Sequence, residues 1–370
     1  MVDLQGQYQR IKREIDAAIQ SVLNSTEFIR GPQVKQFEQA FSNFHDGAHV
    51  ISCANGTDAL QVAMMALGFK PGDEVILPVF TYVATAEVIA LLGLKPVFVD
   101  VDERTFTIAV DQIENKITSK TVAIVPVHLF GQCAPLEPLL ALAKKHNLFL
   151  IEDFAQAVGS VYTLSGGISK KAGTLGTIGC TSFFPSKNLG CYGDGGAILT
   201  RDTALADRIR MIANHGQRVK YYHDVIGVNS RLDTLQAAIL NVKLNYLNKY
   251  EQKRNAVAAY YDRNLNGISF LEIPYRVSYS THVFHQYTVR LMGIERESLR
   301  KFLDSKSIPS MIYYPLPLHF QKAFNVQGVE AGSFPISEAL SRMVLSLPIH
   351  TEMTEEQLSY ICETIRMYPG

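Results

Sequence analysis

Residues 136–156 read LEPLLALAKKHNLFLIEDFAQ, and they decide the fold. Leu136–His146 carries a helical pattern, and Phe149-Leu150-Ile151 is an apolar run that stops at Glu152-Asp153. A continuous apolar run, as opposed to an alternating one, suits a strand covered on both faces. The same rhythm fills the region from about 50 to 200. Strands are expected at Glu74–Pro78, Pro96–Asp100, Val122–Val127, Phe149–Glu152, Thr181–Phe184 and Ala197–Thr200, with helices between several of them, as at Asp58–Leu67 and Thr85–Leu92. Strands alternating with helices imply an α/β fold with a mostly parallel sheet. In such sheets ligands sit at the C-terminal strand ends.

Beyond about 230 the pattern changes. Leu232–Asn264 reads as one long helix or two. A strand near Phe284–Leu291, a helix near Arg296–Ser305, a strand near Ser310–Tyr314 and a helix near Glu355–Met367 follow. This is expected to be a smaller α+β domain of residues 251–370 after a large domain of residues 1–250. Length and composition agree: 370 residues, 47% hydrophobic and 19% charged, suffice for two packed cores.

Lys+Arg and Asp+Glu both total 35, so there is no general attraction to nucleic acid or to an anionic membrane. The N-terminal MVDLQGQYQRIKREIDAAIQ has charges throughout and no apolar signal-peptide core. The stretch Thr121–Glu137 is uncharged up to Glu137, but Pro126, Gly131 and Pro135 break it, and it falls short of the ~20 apolar residues of a membrane span. Cys53, Cys133, Cys180, Cys191 and Cys362 form no CxxC pair, as reduced cytoplasmic thiols would not. A cytoplasmic protein without nucleic-acid or membrane partners is expected, and the Asn24-Ser25-Thr26 sequon is then chance.

Three pieces carry chemistry. Ile151–Gln156 ends a strand in Asp153 and places an amide at Gln156. A helix-capping aspartate would explain that piece alone. Ser182-Phe183-Phe184-Pro185-Ser186-Lys187 places a lysine after an apolar run and before the Gly193–Gly196 turn, where desolvation can free its amine. Taken alone it could be a solvated loop charge. Ala54-Asn55-Gly56-Thr57 leads small residues into a helix start, which suits a phosphate but also fits an ordinary cap. Together they match what pyridoxal 5′-phosphate (PLP) needs: a lysine for a Schiff base, a carboxylate for the pyridine nitrogen and a phosphate cradle. Tyr82, in Phe80–Thr85, could lie flat against the ring, or simply be a core aromatic. Asp100-Val101-Asp102 matches a metal-binding DxD, but three-residue matches are common. His128, His146 and His319 lack metal-ligand spacing, so no metal is expected.

The segments CANGTDAL (53–60), FTYVATAE (80–87), EDFAQAVG (152–159), SFFPSKNLGCYGDGGAI (182–198) and GVNSRLDTLQAAIL (227–240) jointly resemble the DegT/DnrJ/EryC1/StrS sugar aminotransferases, and the likeness covers essentially the whole chain. The resemblance implies a fold-type I PLP enzyme, with a three-layer α/β/α large domain and a smaller C-terminal α+β domain. It implies that Lys187 is the Schiff-base lysine, that Asp153 partners the pyridine nitrogen and that Gln156 contacts the ring hydroxyl. Gly56, Thr57 and Ser182 become phosphate ligands, and Tyr82 the stacking residue. Asn229 would reach the phosphate in the other subunit of a homodimer. The cofactor would alternate between PLP and pyridoxamine 5′-phosphate, with L-glutamate as donor and a UDP- or dTDP-linked keto sugar as acceptor.

Within the family, SFFPSKNLGCYGDGGAI and HGQ…GVNSRLDTLQAAIL are most similar to the branch that aminates C3 of UDP-2-acetamido-2-deoxy-3-keto-glucuronate for surface polysaccharides such as O-antigen. Arg231 would hold the uronate carboxylate, or else an ordinary salt bridge, and Tyr313, Tyr314 and His319 sit where the family contacts its sugar. Tyr313 replaces a histidine found in several relatives, which keeps neutral 3-keto or 4-keto deoxysugars open. Lysine at 187 argues against the family's dehydratase branch, which has histidine there. A non-catalytic PLP-binding regulator would usually carry a DNA-binding module, for which this chain has no spare segment.

Overall fold

The structure is a computed structural model that describes residues 1–324 and 329–369. Helices α1 (Leu4–Ser25) and α2 (Pro32–Phe44) precede a run of alternating elements. These are β1 (His49–Cys53), α3 (Gly56–Leu67), β2 (Glu74–Pro78), α4 (Ala84–Leu91), β3 (Lys95–Val99), β4 (Thr121–Ile124), α5 (Leu136–His146) and β5 (Phe149–Asp153). A hairpin, β6 (Val161–Thr163) and β7 (Ser169–Lys171), separates them from β8 (Ile178–Ser182), β9 (Gly196–Thr200) and α6 (Thr203–Ile212).

Seven of these strands form one sheet in the order β1-β9-β8-β5-β4-β2-β3. Only β9 runs against its neighbours; the pairs β8–β5, β5–β4, β4–β2 and β2–β3 are parallel. The continuous apolar runs follow from coverage on both faces. Val62, Met64, Val88 and Ile209, from α3, α4 and α6, pack on one face; Phe37, Phe41, Leu139 and Leu240 pack on the other.

A short hairpin, β10 (Gln217–Val219) and β11 (Tyr222–His223), leads to α7 (Thr234–Leu244) and α8 (Leu247–Leu265). The expected Leu232–Asn264 segment is thus two helices, parted at Asn245-Tyr246. Helix α8 passes from the large core at Leu247 to a separate one beginning at Val257. That second core joins β12 (Leu271–Glu272), β13 (Tyr287–Leu291), α9 (Arg296–Ser305), β14 (Val344–Leu347) and α11 (Glu355–Arg366), with β12-β13-β14 as an antiparallel sheet, whereas α10 (Pro335–Met343), between α9 and β14, packs Leu340 with Phe80, Val101 and Phe130.

Several expectations are corrected. Strand β1 was not anticipated. Strand β8 starts at Ile178, earlier than expected, because Gly179 interrupts the apolar run. A Cβ at Gly179 would meet the Gly173 backbone at 2.3 Å, so the crossing requires glycine. Ser310–Tyr314 is not a strand: it touches β14 at the single bridge Met311↔Ser346. The β6–β7 hairpin is tied to the body of the domain: Val161 pairs with Lys171, and Tyr162 and Ala172 are buried. The DxD residues have structural work. Asp100 accepts from the Ile336 and Ser337 amides at the start of α10, and Asp102 accepts from the Arg104 and Thr105 amides of its own turn. No helix among the described residues is long and apolar enough to cross a membrane.

Candidate active site

Strand register gathers the sequence-distant motifs at one sheet edge. Cys53 and Ser182 both pair with Gly196, and Asp153 pairs with Cys180. The chain leaving β1 enters α3 at once. Asn55 caps that helix, its Oδ1 accepting from the Asp58 amide at 2.8 Å. The cap leaves the Gly56 and Thr57 amides at the positive helix end, where an anion is favoured. A Cβ on Gly56 would lie 2.6 Å from the Ser182 Cβ, so glycine alone lets β8 close over the helix start. Ser182 Oγ lies beside the same turn. Backbone amides, a helix end and a hydroxyl, crowded so that no Cβ fits, suit a phosphate.

Asp153 ends β5 with its carboxylate almost fully buried. Oδ2 accepts from Thr85 Oγ1 at 2.9 Å and Oδ1 from the Ala155 amide at 3.2 Å. Burial pushes its pKa up, against the pull of the Ala155 and Thr85 bonds and the Lys187 charge. A buried carboxylate raised in this way gains from a protonated ring nitrogen brought against it. The adjacent Glu152 has a different task. It accepts from the Gly173, Leu175 and Gly176 amides and from His128 Nε2 at 2.9 Å. The Ala134 amide donates to His128 Nδ1, which fixes the imidazole proton on Nε2. His128 therefore braces the strand end and is no metal ligand.

Lys187 lies in a closed loop. The Phe183 amide bonds Gly195 and the Cys191 amide bonds Phe183, so residues 184–190 bulge between them. Desolvation lowers the partly exposed Lys187 ammonium to about 8, while the Asp153 charge opposes that fall. An amine so placed supplies its neutral, nucleophilic form near neutral pH. Beside it stands buried His285, driven well below its usual range by burial and by the Lys187 and Arg254 charges, and hence neutral.

Tyr82 is 57% exposed, with its ring 6.3 Å from that of Tyr314. Gln156 Nε2 donates to the Tyr314 hydroxyl at 3.0 Å, and Gln156 Oε1 accepts from the Phe130 amide at 2.8 Å. Tyr82, Tyr314 and Gln156 thus form one wall, and Tyr313 packs 5.9 Å from Tyr314. His319 is turned inward instead: Nε2 meets Glu338 Oε1 at 3.2 Å and the ring packs on Phe334.

Asn229 is exposed, with its backbone bridged to Asn214. Ser230 Oγ accepts from the Ala54 amide at 3.1 Å, which ties this segment to the turn that opens α3. Arg231 lines a cavity of about 740 Å³ together with Arg30 and Arg210. Arg210 pairs with Glu38, but neither Arg30 nor Arg231 has an ion pair among the described residues, so the salt bridge entertained for Arg231 is not seen among them. Sequence reading missed Thr85, His285 and the Glu152–His128 pair. Thr85 lies inside FTYVATAE, so its motif was its one signal.

The family model for the DegT/DnrJ/EryC1/StrS aminotransferase family matches residues 9–366. The chain is 46% identical over 368 residues to the UDP-2-acetamido-2-deoxy-3-oxo-D-glucuronate aminotransferase of Pseudomonas aeruginosa, covering 98% of each protein. It is 46% identical over 367 residues to a Geobacillus stearothermophilus protein named pleiotropic regulatory protein, covering 99% of this chain and 97% of that one. Among solved structures, NtdA of Bacillus subtilis with bound cofactor PMP matches with a TM-score of 0.87 at 30% identity, covering 96% of this chain and 81% of that one.

Proposed function

The chain belongs to the DegT/DnrJ/EryC1/StrS aminotransferase family of PLP-dependent enzymes, and from that premise we propose that it transfers the amino group of L-glutamate to C3 of UDP-2-acetamido-2-deoxy-3-keto-glucuronate, a step in making surface-polysaccharide sugars. The observation that carries the reaction type is Lys187, desolvated to about 8, set within the field of the buried Asp153.

Bound PLP supplies an electron sink that eases loss of the donor's Cα proton. The Gly56 and Thr57 amides and the Ser182 hydroxyl would hold its phosphate. Asp153 would keep the ring nitrogen protonated, Tyr82 would cover a ring face, and Gln156 would meet the ring hydroxyl. Lys187 Nζ serves as the mobile base. It takes the proton from the donor's Cα and, in the second half, delivers one to C3 of the sugar. Its tether keeps it within reach of both carbons, which replaces a bimolecular proton transfer by a local one.

Asn229, exposed and without a side-chain partner among the described residues, would serve the site of a second copy, making a homodimer the active unit. Arg231 supports the uronate reading because its guanidinium fork, which lines a cavity and has no ion pair among the described residues, can take a carboxylate bidentately. The test is transfer from ¹⁵N-glutamate, with the label located in the sugar by NMR. Label at C3 of the uronate is expected; label at C4, or only on another amino acid, overturns the proposal.

A further inference from the structure

Lys243 is a buried cation. It is 1% exposed in the last turn of α7, and no carboxylate forms an ion pair with it among the described residues. Its Nζ donates to the Gly190 carbonyl at 2.5 Å and lies 4.9 Å from the centre of the Tyr192 ring. Taking an ammonium out of water costs several kcal/mol, and one carbonyl with one ring face returns only part of that. A methionine would fill the same space without the penalty. The favourable end of the helix dipole does not account for burial either, because an exposed lysine in the last turn would gain from it too.

What the cation touches is the segment that carries Lys187. Gln236, two turns earlier on α7, accepts from the Tyr192 amide at 2.8 Å and donates to the Tyr192 carbonyl at 3.4 Å. Positions 236 and 243 lie on one helix face. The loop they grip is tightly folded: a Cβ on Gly190 would lie 2.4 Å from the Pro185 carbonyl oxygen, and Cys191 Sγ donates to the Phe183 carbonyl at 3.0 Å. On the opposite side Asn188 Nδ2 donates to the Val283 carbonyl at 2.9 Å.

We propose that Lys243 is a positioning residue, which clamps the Gly190–Tyr192 arm so that the 184–190 loop presents the Lys187 amine at one place. It rests on reading Lys187 as the reacting lysine. Its first test does not, because it uses cofactor-free protein.

Lys243→Met keeps the volume and removes the charge and the donor. Amide hydrogen exchange should quicken over residues 184–192 by about tenfold or more, the loss of one charge-assisted hydrogen bond. The strands should stay protected, and the melting temperature should hold or rise. In PLP-loaded protein the glutamate half-reaction should slow by a similar factor. Lys243→Gln, which keeps a donor for Gly190, should recover part of both losses and serves as the test if the methionine variant does not fold. Unchanged exchange over 184–192 would overturn the proposal. So would a slower half-reaction accompanied by an equal loss of melting temperature in both variants. A wild type that never captures PLP at Lys187 would instead refute the functional reading and leave the exchange result standing.

Discussion

Gly56 and Ser182 meet so closely that a Cβ on the first would stand 2.6 Å from the Cβ of the second. The start of α3 and the end of β8 are thereby fixed around one opening. Gly56→Ala must push Ser182 aside, at a cost of about 1–3 kcal/mol for an overpacked contact. The dissociation constant for PLP should rise roughly tenfold, as read by fluorescence titration. Unchanged affinity would mean that the opening is not the phosphate site.

In its proposed role, Lys187 would set the pH dependence of cofactor capture. With its ammonium lowered to about 8, covalent capture of PLP should rise with pH about a midpoint near 8, well below that of an exposed lysine. The Asp153 charge holds the lysine pKa up, so Asp153→Asn should move the midpoint to lower pH. Borohydride trapping and peptide mapping should place the label on Lys187; a label elsewhere refutes the assignment.

The same group links stability to pH in the cofactor-free protein. Its folded pKa lies below the unfolded value of 10.5, so between about pH 8 and 10.5 the unfolded chain binds more protons than the folded one. This group's penalty is therefore full below pH 8 and relieved as pH rises through the window. Lys187→Met should be more stable than wild type at pH 7, and denaturant titrations should show the gap narrowing by pH 10.

The residues proposed to be catalytic were more legible in sequence than their supports. An apolar run stopping at Asp153 and a lysine enclosed by Ser182 and Gly193 declare themselves locally, and α5, α9 and β2 fall at their expected bounds. Thr85 meets Asp153 only through the fold, across 68 positions, and His285 senses Lys187 from the far side of the chain. No local pattern encodes such meetings. Gly179 hid the start of β8 because glycine there answers a backbone crossing and not a strand preference. Ser310–Tyr314 looked like a strand because Ile312, Tyr313 and Tyr314 pack against the cores, yet one bridge to β14 is all the pairing it makes among the described residues.

Asn229 predicts complementation. Subunits carrying Lys187→Ala and subunits carrying Asn229→Ala should each be inactive, and mixed dimers should regain activity, since one site in each would then be free of both changes. Verified subunit exchange without recovery would place Asn229 outside the partner's site.

Arg231 predicts a substrate-selective loss. Arg231→Lys should cost the uronate about 1–3 kcal/mol in kcat/KM, as for other charged hydrogen bonds, and a neutral 3-keto analogue far less. Equal losses on both sugars would remove the carboxylate contact from the account.

The most direct test follows one enzyme sample through both halves of the reaction by its absorbance. L-Glutamate should convert PLP-loaded protein to the pyridoxamine form with release of 2-oxoglutarate, and UDP-2-acetamido-2-deoxy-3-keto-glucuronate should then restore the PLP spectrum while gaining one nitrogen at C3. Failure of glutamate where another amino acid succeeds would contradict the donor. Restoration by neutral 3-keto or 4-keto nucleotide sugars but not by the uronate would contradict the central claim.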